Sequence, residues 1–516
     1  MTAQAQPAPS LVIHADRTGP LINRDIFGQF AEQLGNGIYG GVWVGPDSPV
    51  PNVRGIRSDV VEALRALHVP NVRWPGGCFA DQYHWRNGIG PAGQRKVTTN
   101  INWGDPVEPN RFGTHEYLDF IDQIGSEANI TANVGSGSVQ EAADWLEYLT
   151  ADKPTTLARE RAANGHPAPW RIKYFAYGNE SWGCGGPMSA AAYATRLRIY
   201  ANFARNLNPA QNGWSRLMPG PDPMRRIAVG PADDRTDYTE AVMRAWQEAS
   251  PRDKPFEALS FHHYTAGLVG SMREKAQGFG EADYAAFVKN SYAMDGLIAT
   301  QSAIMDRYDP DRKVALSIDE WGVWLAPMPG TPVLYLRQQN SLRDAIVAAL
   351  HLDIFARHAG RVRMANIAQM ANVLQSMVLT DGPKMVLTPT YYVFRMYVPF
   401  QDARAIPVDA EAGDYHFGAV TLPRLDAIAA RAKDGHIWLA LTNIDPAQAV
   451  DIAADGAGFA ARAATGEVLS AERIDTVNEF GKPAAVAPRP VRFTAHGGRL
   501  TLHLPARSIT VVMLEP

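Results

Sequence analysis

From about residue 24 to residue 395 the chain alternates short apolar runs with long amphipathic ones. The short runs, Ile26 to Phe30, Asn71 to Trp74, Ile130 to Val134, Tyr174 to Tyr177, Arg226 to Val229, Ala258 to Phe261, Val314 to Ile318 and Met364 to Ile367, have the length and composition of buried strands. Between them lie segments with apolar residues at three- and four-residue spacing, which predict helices. Ser58 precedes DVVEALRAL as a cap, Thr114 leads HEYLDFIDQIG and Gln140 leads EAADWLEYL; further helices are expected over 189–207, 238–249, 292–308 and 341–357. Eight strands, each followed by helix, predict an α/β fold closed into a parallel (β/α)8 TIM barrel. A doubly wound open sheet shares the same rhythm and stays open as an alternative on periodicity alone. No G-x-G-x-x-G follows the first strand, which removes its simplest nucleotide-binding form.

Beyond Phe400 the rhythm changes. Residues 426–444, 491–504 and 509–516 are short β-rich runs separated by Asp-Gly, Gly-Gly and Pro-bearing turns. They predict an antiparallel β-sandwich of roughly 115 residues. The opening run Leu11 to His14 precedes the first barrel strand and is expected to add a strand to the barrel; the first eight residues read as disordered.

A length of 516 residues with 46% hydrophobic content suits two domains with ample cores. The net charge of -4, with no basic run, gives no pull toward nucleic acid or anionic membrane. No stretch approaches the roughly 18 apolar residues of a membrane span, and the opening segment lacks a signal peptide's pattern, so a cytoplasmic location is expected. The two cysteines, Cys78 and Cys184, both lie in Gly-rich loops. A single bridge between them is disfavoured against two free thiols. Cys78 reads as a small buried hydrophobe, since nothing marks a paired base, and Cys184 has no assigned role.

In a parallel barrel, function gathers at the carboxyl-terminal strand ends. Those ends run into Gln29, Glu32 and Asn36; Arg73 through Cys78; Asn179-Glu180; His262-His263-Tyr264; Asp319-Glu320-Trp321; and Asn366 with Gln369. Glu180 and Glu320 each end a buried run and are followed by tryptophan, Trp182 and Trp321, whose faces are available to stack on a sugar. Glycosidic cleavage requires two carboxyls with divided roles, a proton donor and either a nucleophile or a base. Other readings stay open at this point. The two glutamates could be structural partners of arginines, and Arg73 a buried ion-pair partner. Tyr264 could be core or could hold a carboxylate, and Asn179 could end its strand or bind a hydroxyl. Strand alternation lets only one of His262 and His263 face the mouth. No His or Cys cluster has diagnostic metal spacing, so no metal or other cofactor is expected, and Ser181 lacks the G-x-S-x-G context of a nucleophilic serine.

Seven motifs in order, FGQFAEQLG (27–35), NVRWPGGCFADQYHW (71–85), NRFGTHEYLDF (110–120), YGNESWGCGG (177–186), FHHYT (261–265), SIDEWGVW (317–324) and NIAQMANVL (366–374), make the chain resemble the α-L-arabinofuranosidases of glycoside hydrolase family 51. The resemblance implies a catalytic barrel over 20–397. It implies a jelly-roll-like β-sandwich formed by 1–19 with 398–516. It implies retaining, exo-acting release of terminal arabinofuranosyl residues from arabinosides, arabino-oligosaccharides or fragments of arabinoxylan and arabinan. By motif position, Glu180 matches the acid/base and Glu320 the nucleophile. Glu32, Arg73, Cys78, Asn102, Asn179, His262, Tyr264 and Gln369 match substrate-site residues, joined by Trp321 as a stacking surface. A homo-oligomer such as a hexamer is also implied. A β-xylosidase or endoglucanase on the same scaffold, or a non-catalytic carbohydrate-binding protein, are the competing expectations.

Overall fold

The structure is a computed structural model in which residues 9–212, 220–457, 460–496 and 499–515 are described. The opening eight residues, read as disordered, and the Gly497-Gly498 turn lie outside them. Eight strands, β1 Gly28–Phe30, β2 Asn71–Trp74, β3 Glu127–Ala132, β4 Tyr174–Tyr177, β5 Arg225–Ala228, β6 Ala258–Thr265, β7 Ala315–Val323 and β8 Val362–Ile367, close into one barrel in chain order. Every neighbouring pair is parallel, and β8 meets β1 through Asn366 opposite Gly28. Closure removes the open-sheet alternative and leaves no free edge for the barrel strands.

Alternation along the strands separates two cores. Tyr174, Ala176, Ile227, Ala258, Ala315 and Met364 fill the barrel floor. Phe175, Leu259, Phe261, Leu316 and Ile318 face outward into the helical layer. The expected helices form, with their starts displaced by a residue or two. Arg57, not Ser58, is the cap of Ser58–Ala66, and Ser138 rather than Gln140 caps Val139–Thr150 by accepting from the Glu141 amide.

The sandwich stacks a six-stranded antiparallel sheet on a four-stranded one. Its middle strands have two buried faces and therefore two partners. Ile428, Ala430, Ala440, Ile509 and Val511 join the barrel core, whereas Leu425, Ala429, Leu439, Leu441, Val512 and Leu514 pack toward the smaller sheet. Helix Leu342–Arg357 lies between the barrel and this sheet and is buried over all but its last residue, which explains its apolar composition on every side. The strand Ser10–His14 does not join the barrel. It runs antiparallel to Val408–Glu411 and parallel to Val450–Ala457 inside the four-stranded sheet. Leu11 and Ile13, on one side of the strand, bury in the sandwich core, and that apolar pair decides its place.

Candidate active site

One irregularity in β7 organises the mouth. Ser260 pairs with Ser317, but His262 pairs with Glu320, so β7 carries one extra residue between these registers. On its other side Ile318 pairs with Ala365 and Trp321 with Ile367, the same one-residue excess. Such a bulge shifts the alternation that follows it by one residue. Ser317 and Asp319 already face inward by alternation. The extra residue turns Glu320 inward as well and sends Trp321 out into the helical layer.

Two successive carboxylates thus enter the barrel side by side. Glu320 Oε2 accepts from Arg73 Nη1 at 3.0 Å, and Glu320 Oε1 accepts from the Tyr264 hydroxyl at 2.8 Å. Arg73 is fully buried. It lies over the Phe30 ring at 4.7 Å, donates through Nη2 to Asn179 Oδ1, and brings Nε within 3.5 Å of Asp319 Oδ2. Burial works against its charge, but Asp319 and Glu320 outweigh that and raise its pKa. Burial, followed by the charge of Glu320, pushes the Tyr264 phenol well above its ordinary range, so it acts as a hydrogen-bond donor.

Glu180 follows β4 across the barrel mouth. Its φ of 34° is a left-handed value that a side chain adopts at a cost of about 1–3 kcal/mol. Asp81 supports the turn: Oδ2 accepts from the Asn179 amide at 2.8 Å, and Oδ1 from the Val134 and Gly135 amides at 2.7 and 2.8 Å. Gly185 closes the loop against the Asn179 carbonyl, where a Cβ would stand 1.9 Å from the oxygen, so only glycine fits there. An oxygen of Glu180 and one of Glu320 lie within 4.8 Å of each other. Burial raises the Glu180 pKa and the charge of Glu320 raises it further, against the opposing pull of His262.

His262 sits between the two glutamates. Its Nδ1 is 2.9 Å from Glu180 Oε1 and 3.5 Å from Glu320 Oε2, and its Nε2 is 3.2 Å from Asp319 Oδ1. Burial would depress the imidazole, but the three carboxyls reverse this and lift its pKa to about 10. His263 points the other way, as alternation requires, and meets Asp233 at 2.7 Å.

On the far wall Glu32 accepts from the Phe79 amide at 2.9 Å, from Trp103 Nε1 at 2.7 Å and from Gln369 Nε2 at 3.1 Å; burial pushes its carboxyl up to about 7. Asn102 donates to the Cys78 carbonyl at 3.1 Å and to Gln82 at 2.8 Å, bracing the loop after β2. The expectation of two free thiols is corrected. Cys78 and Cys184 form a disulfide spanning 106 residues, because the loops after β2 and β4 converge above the mouth. Cys184 Sγ lies 3.7 Å from Glu180 Oε2, so the bridge is part of the site's wall.

Trp321 is also a correction. It is wholly buried, 5.2 Å from the Phe355 ring and 5.5 Å from that of His351, and offers no face to a sugar. The bulge is the physical reason. Trp103 and Asp81 are site-shaping residues that sequence reasoning missed, and Asp319, placed at the mouth by it, was given no role there. Asp319 stands at a strand end in the sequence, whereas the contact of Trp103 with Glu32 across 71 residues leaves no local signal. Glu180, His262 and Glu320 bring donor atoms close enough to hold an ion, as do Glu180 and the two sulfurs. Glu180 is held by His262 and Glu320 by Arg73 and Tyr264, and the sulfurs are bonded together. A cavity of about 1450 Å³ opens elsewhere, beside Arg198, Leu207, Arg226 and Lys254 at the amino-terminal side of the strands. Of the carboxyls on its wall, Glu248 pairs with Arg198 and Glu257 with Arg226.

A parallel barrel with two facing carboxyls at its carboxyl-terminal mouth, packed on a β-sandwich, defines a glycoside hydrolase architecture. A model of the α-L-arabinofuranosidase 1 domain matches residues 63–255, and one of the α-L-arabinofuranosidase C-terminal domain matches residues 319–508. The chain is 41% identical over its full length to an intracellular exo-α-L-arabinofuranosidase of Bacteroides ovatus, covering 97% of that protein. The crystal structure of a GH51 arabinofuranosidase from Xanthomonas axonopodis pv. citri superposes with a TM-score of 0.93 at 46% identity, over 98% of this chain and 100% of that one. An α-L-arabinofuranosidase from Thermotoga maritima, solved as an arabinose complex, superposes with a TM-score of 0.85 at 28% identity, with the same coverage. The chain belongs to the α-L-arabinofuranosidases of glycoside hydrolase family 51. Among the described residues no helix is long and apolar enough to cross a membrane.

Proposed function

We propose that this protein removes terminal α-L-arabinofuranosyl residues from arabinosides, arabino-oligosaccharides and fragments of arabinan or arabinoxylan, with retention of configuration. The observation that carries the reading is the approach of Glu180 and Glu320 to within 4.8 Å. Retaining glycosidases hold their carboxyls about 5–5.5 Å apart, whereas inverting ones leave about 6.5–9.5 Å for a water. Names borne by full-length relatives supply the sugar, and no feature of the mouth favours a β-xylosidase, an endoglucanase or a non-catalytic binder.

In the first step ionised Glu320 attacks the anomeric carbon. Arg73 and Tyr264 fix both its oxygens and hold them toward the sugar. Glu180, kept protonated by burial and by the neighbouring negative charge, donates its proton to the departing oxygen. Once the ester forms, the charge of Glu320 is gone and the Glu180 pKa falls. Glu180 then takes a proton from the water that opens the arabinosyl-enzyme. Because its pKa starts raised, the alkaline limb of kcat/KM lies above the ordinary carboxylate range, and activity is lost as pH rises through it. Glu32, Gln369, Asn179 and Asn102 supply polar groups for the sugar's hydroxyls, with the Cys78–Cys184 bridge beside them.

Division of the chain into a barrel over 20–397 and a sandwich from 1–19 and 398–516, action in the cytoplasm and assembly as a homo-oligomer complete the proposal. The test is Glu320→Ala with added azide, which is expected to abolish turnover and to yield the β-configured arabinofuranosyl azide. An α-configured product, or parental turnover in the variant, overturns the assignment.

A further inference from the structure

Asp319 is a buried carboxylate of the mouth to which the two-step reaction gives no task. Asp319 is 2% exposed and touches neither glutamate by hydrogen bond. It lies 3.2 Å from His262 Nε2 and 3.5 Å from Arg73 Nε, at other nitrogens of these two cations than the ones that meet Glu180 and Glu320. The bulge in β7 is what lets it share the barrel interior with its neighbour Glu320. The titratable groups that meet His262 are Glu180 from the β4 loop and Asp319 and Glu320 from β7, while Arg73 from β2 and Tyr264 from its own strand hold Glu320 beside it.

We propose that Asp319 is a positioning residue that holds His262 as an imidazolium throughout the cycle, so that Glu180 gives up and regains its proton beside a constant positive charge. The proposal deepens the assignment of Glu180 as acid/base and rests on it. Charge accounting supports it. Before attack, Asp319 and Glu320 are negative, Arg73 and His262 positive, and Glu180 neutral. In the ester, Glu320 is neutral and Glu180 negative. The site is neutral at both stages, which low local dielectric favours, and with His262 charged it is so only if Asp319 supplies the unchanging negative charge. Removing Asp319 takes away two of the contributions that hold the proton on His262 against burial, Glu320 remaining the largest, and on this proposal burial then wins and the ring loses its proton. Glu180 then loses a cation 2.9 Å away, while the anion removed lay beyond the ring. The net effect is a higher pKa and a weaker acid at Glu180.

The test is Asp319→Asn in the full chain, read in two ways. Histidine-labelled NMR, with His262 identified by loss of its signal in His262→Gln, is expected to show the ring doubly protonated at pH 8 in the parent. Its titration midpoint should fall from about 10 to below 7 in Asp319→Asn. In kinetics, the alkaline limb of kcat/KM is expected to move up by about one pH unit. Arabinofuranosides with poor leaving groups should lose more than tenfold in kcat, and dinitrophenyl arabinofuranoside less than threefold. An unmoved His262 midpoint overturns the proposal whatever Glu180 does, and so does a uniform kcat loss with an unmoved limb. Parental turnover in Glu180→Ala would instead sink the acid/base reading itself. His262→Gln, which leaves Asp319 in place, provides the same limb shift as a second check should Asp319→Asn not fold; an unmoved limb there also overturns the proposal.

Discussion

The Tyr264 hydroxyl donates a hydrogen bond to Glu320 Oε1 at 2.8 Å. Together with Arg73 on the other oxygen it leaves the carboxylate one orientation. Hydrogen bonds to charged groups contribute about 1.5–3 kcal/mol. Tyr264→Phe, which keeps the ring packed against Trp324, is therefore expected to lower kcat by about 10- to 100-fold with folding intact. Steady-state kinetics on an aryl arabinofuranoside beside a thermal melt would check this. An unchanged kcat would reduce the residue to packing.

Trp321 invites the opposite expectation. Enclosed by His351, Phe355 and Phe394, it belongs to the core that backs β7. Trp321→Ala should cost about 3–5 kcal/mol of stability while KM stays within about twofold. A tenfold rise in KM without loss of stability in denaturant titration would restore it to the sugar site.

These two neighbours show where the sequence stops being readable. Apolar runs marked all eight barrel strands, but β6 and β7 continue to Thr265 and Val323, past their expected ends at Phe261 and Ile318. The polar residues that end each run are themselves strand residues, and chemistry there breaks the hydrophobic pattern. Glu320 and Trp321 were both placed at the mouth, and only the bulge decides which one enters. A bulge of ordinary residues carries no local signature. The sandwich strand Val450–Ala457, VDIAADGA, went unread because alanine and glycine give weak β-signals, and its neighbours in the sheet supply the burial instead.

The Cys78–Cys184 bridge restrains the loops after β2 and β4 together. Closing a loop of this length is associated with roughly 4–5 kcal/mol in the chain-entropy account. Cys78→Ser with Cys184→Ser should lower the denaturant midpoint relative to the parent under oxidising conditions, and excess dithiothreitol should bring the parent down to the variant. Because Cys184 stands against Glu180, kcat should fall in parallel. Identical midpoints with and without reductant would argue against a stabilising bridge.

At the junction of barrel and sandwich, Asp353 faces Asp426, whose oxygens are taken by Arg357 at 2.9 and 3.1 Å. Tyr397 donates to Asp353 Oδ1 at 2.9 Å. Burial and then the charge of Asp426 raise the Asp353 pKa well above the usual carboxylate range. A carboxyl raised on folding contributes stability that is complete below its unfolded value of about 4 and is lost as pH rises toward the folded value. Asp353→Asn keeps the acceptor for Tyr397 and never ionises. Its melting temperature should match the parent near pH 4 and exceed it increasingly toward pH 8, measured by scanning calorimetry. Parallel curves across that range would contradict a raised Asp353.

The strand Ser10–His14 lies between Val408–Glu411 and Val450–Ala457. During synthesis this first segment therefore leaves the ribosome long before either neighbour exists. The whole barrel is made while its amino-terminal leader waits unpaired, and the sandwich can be sealed only when the last quarter of the chain arrives. Assembly of the smaller domain thus reports that the catalytic one is complete, and a message truncated before residue 408 yields a chain in which Ser10–His14 meets neither of its neighbours.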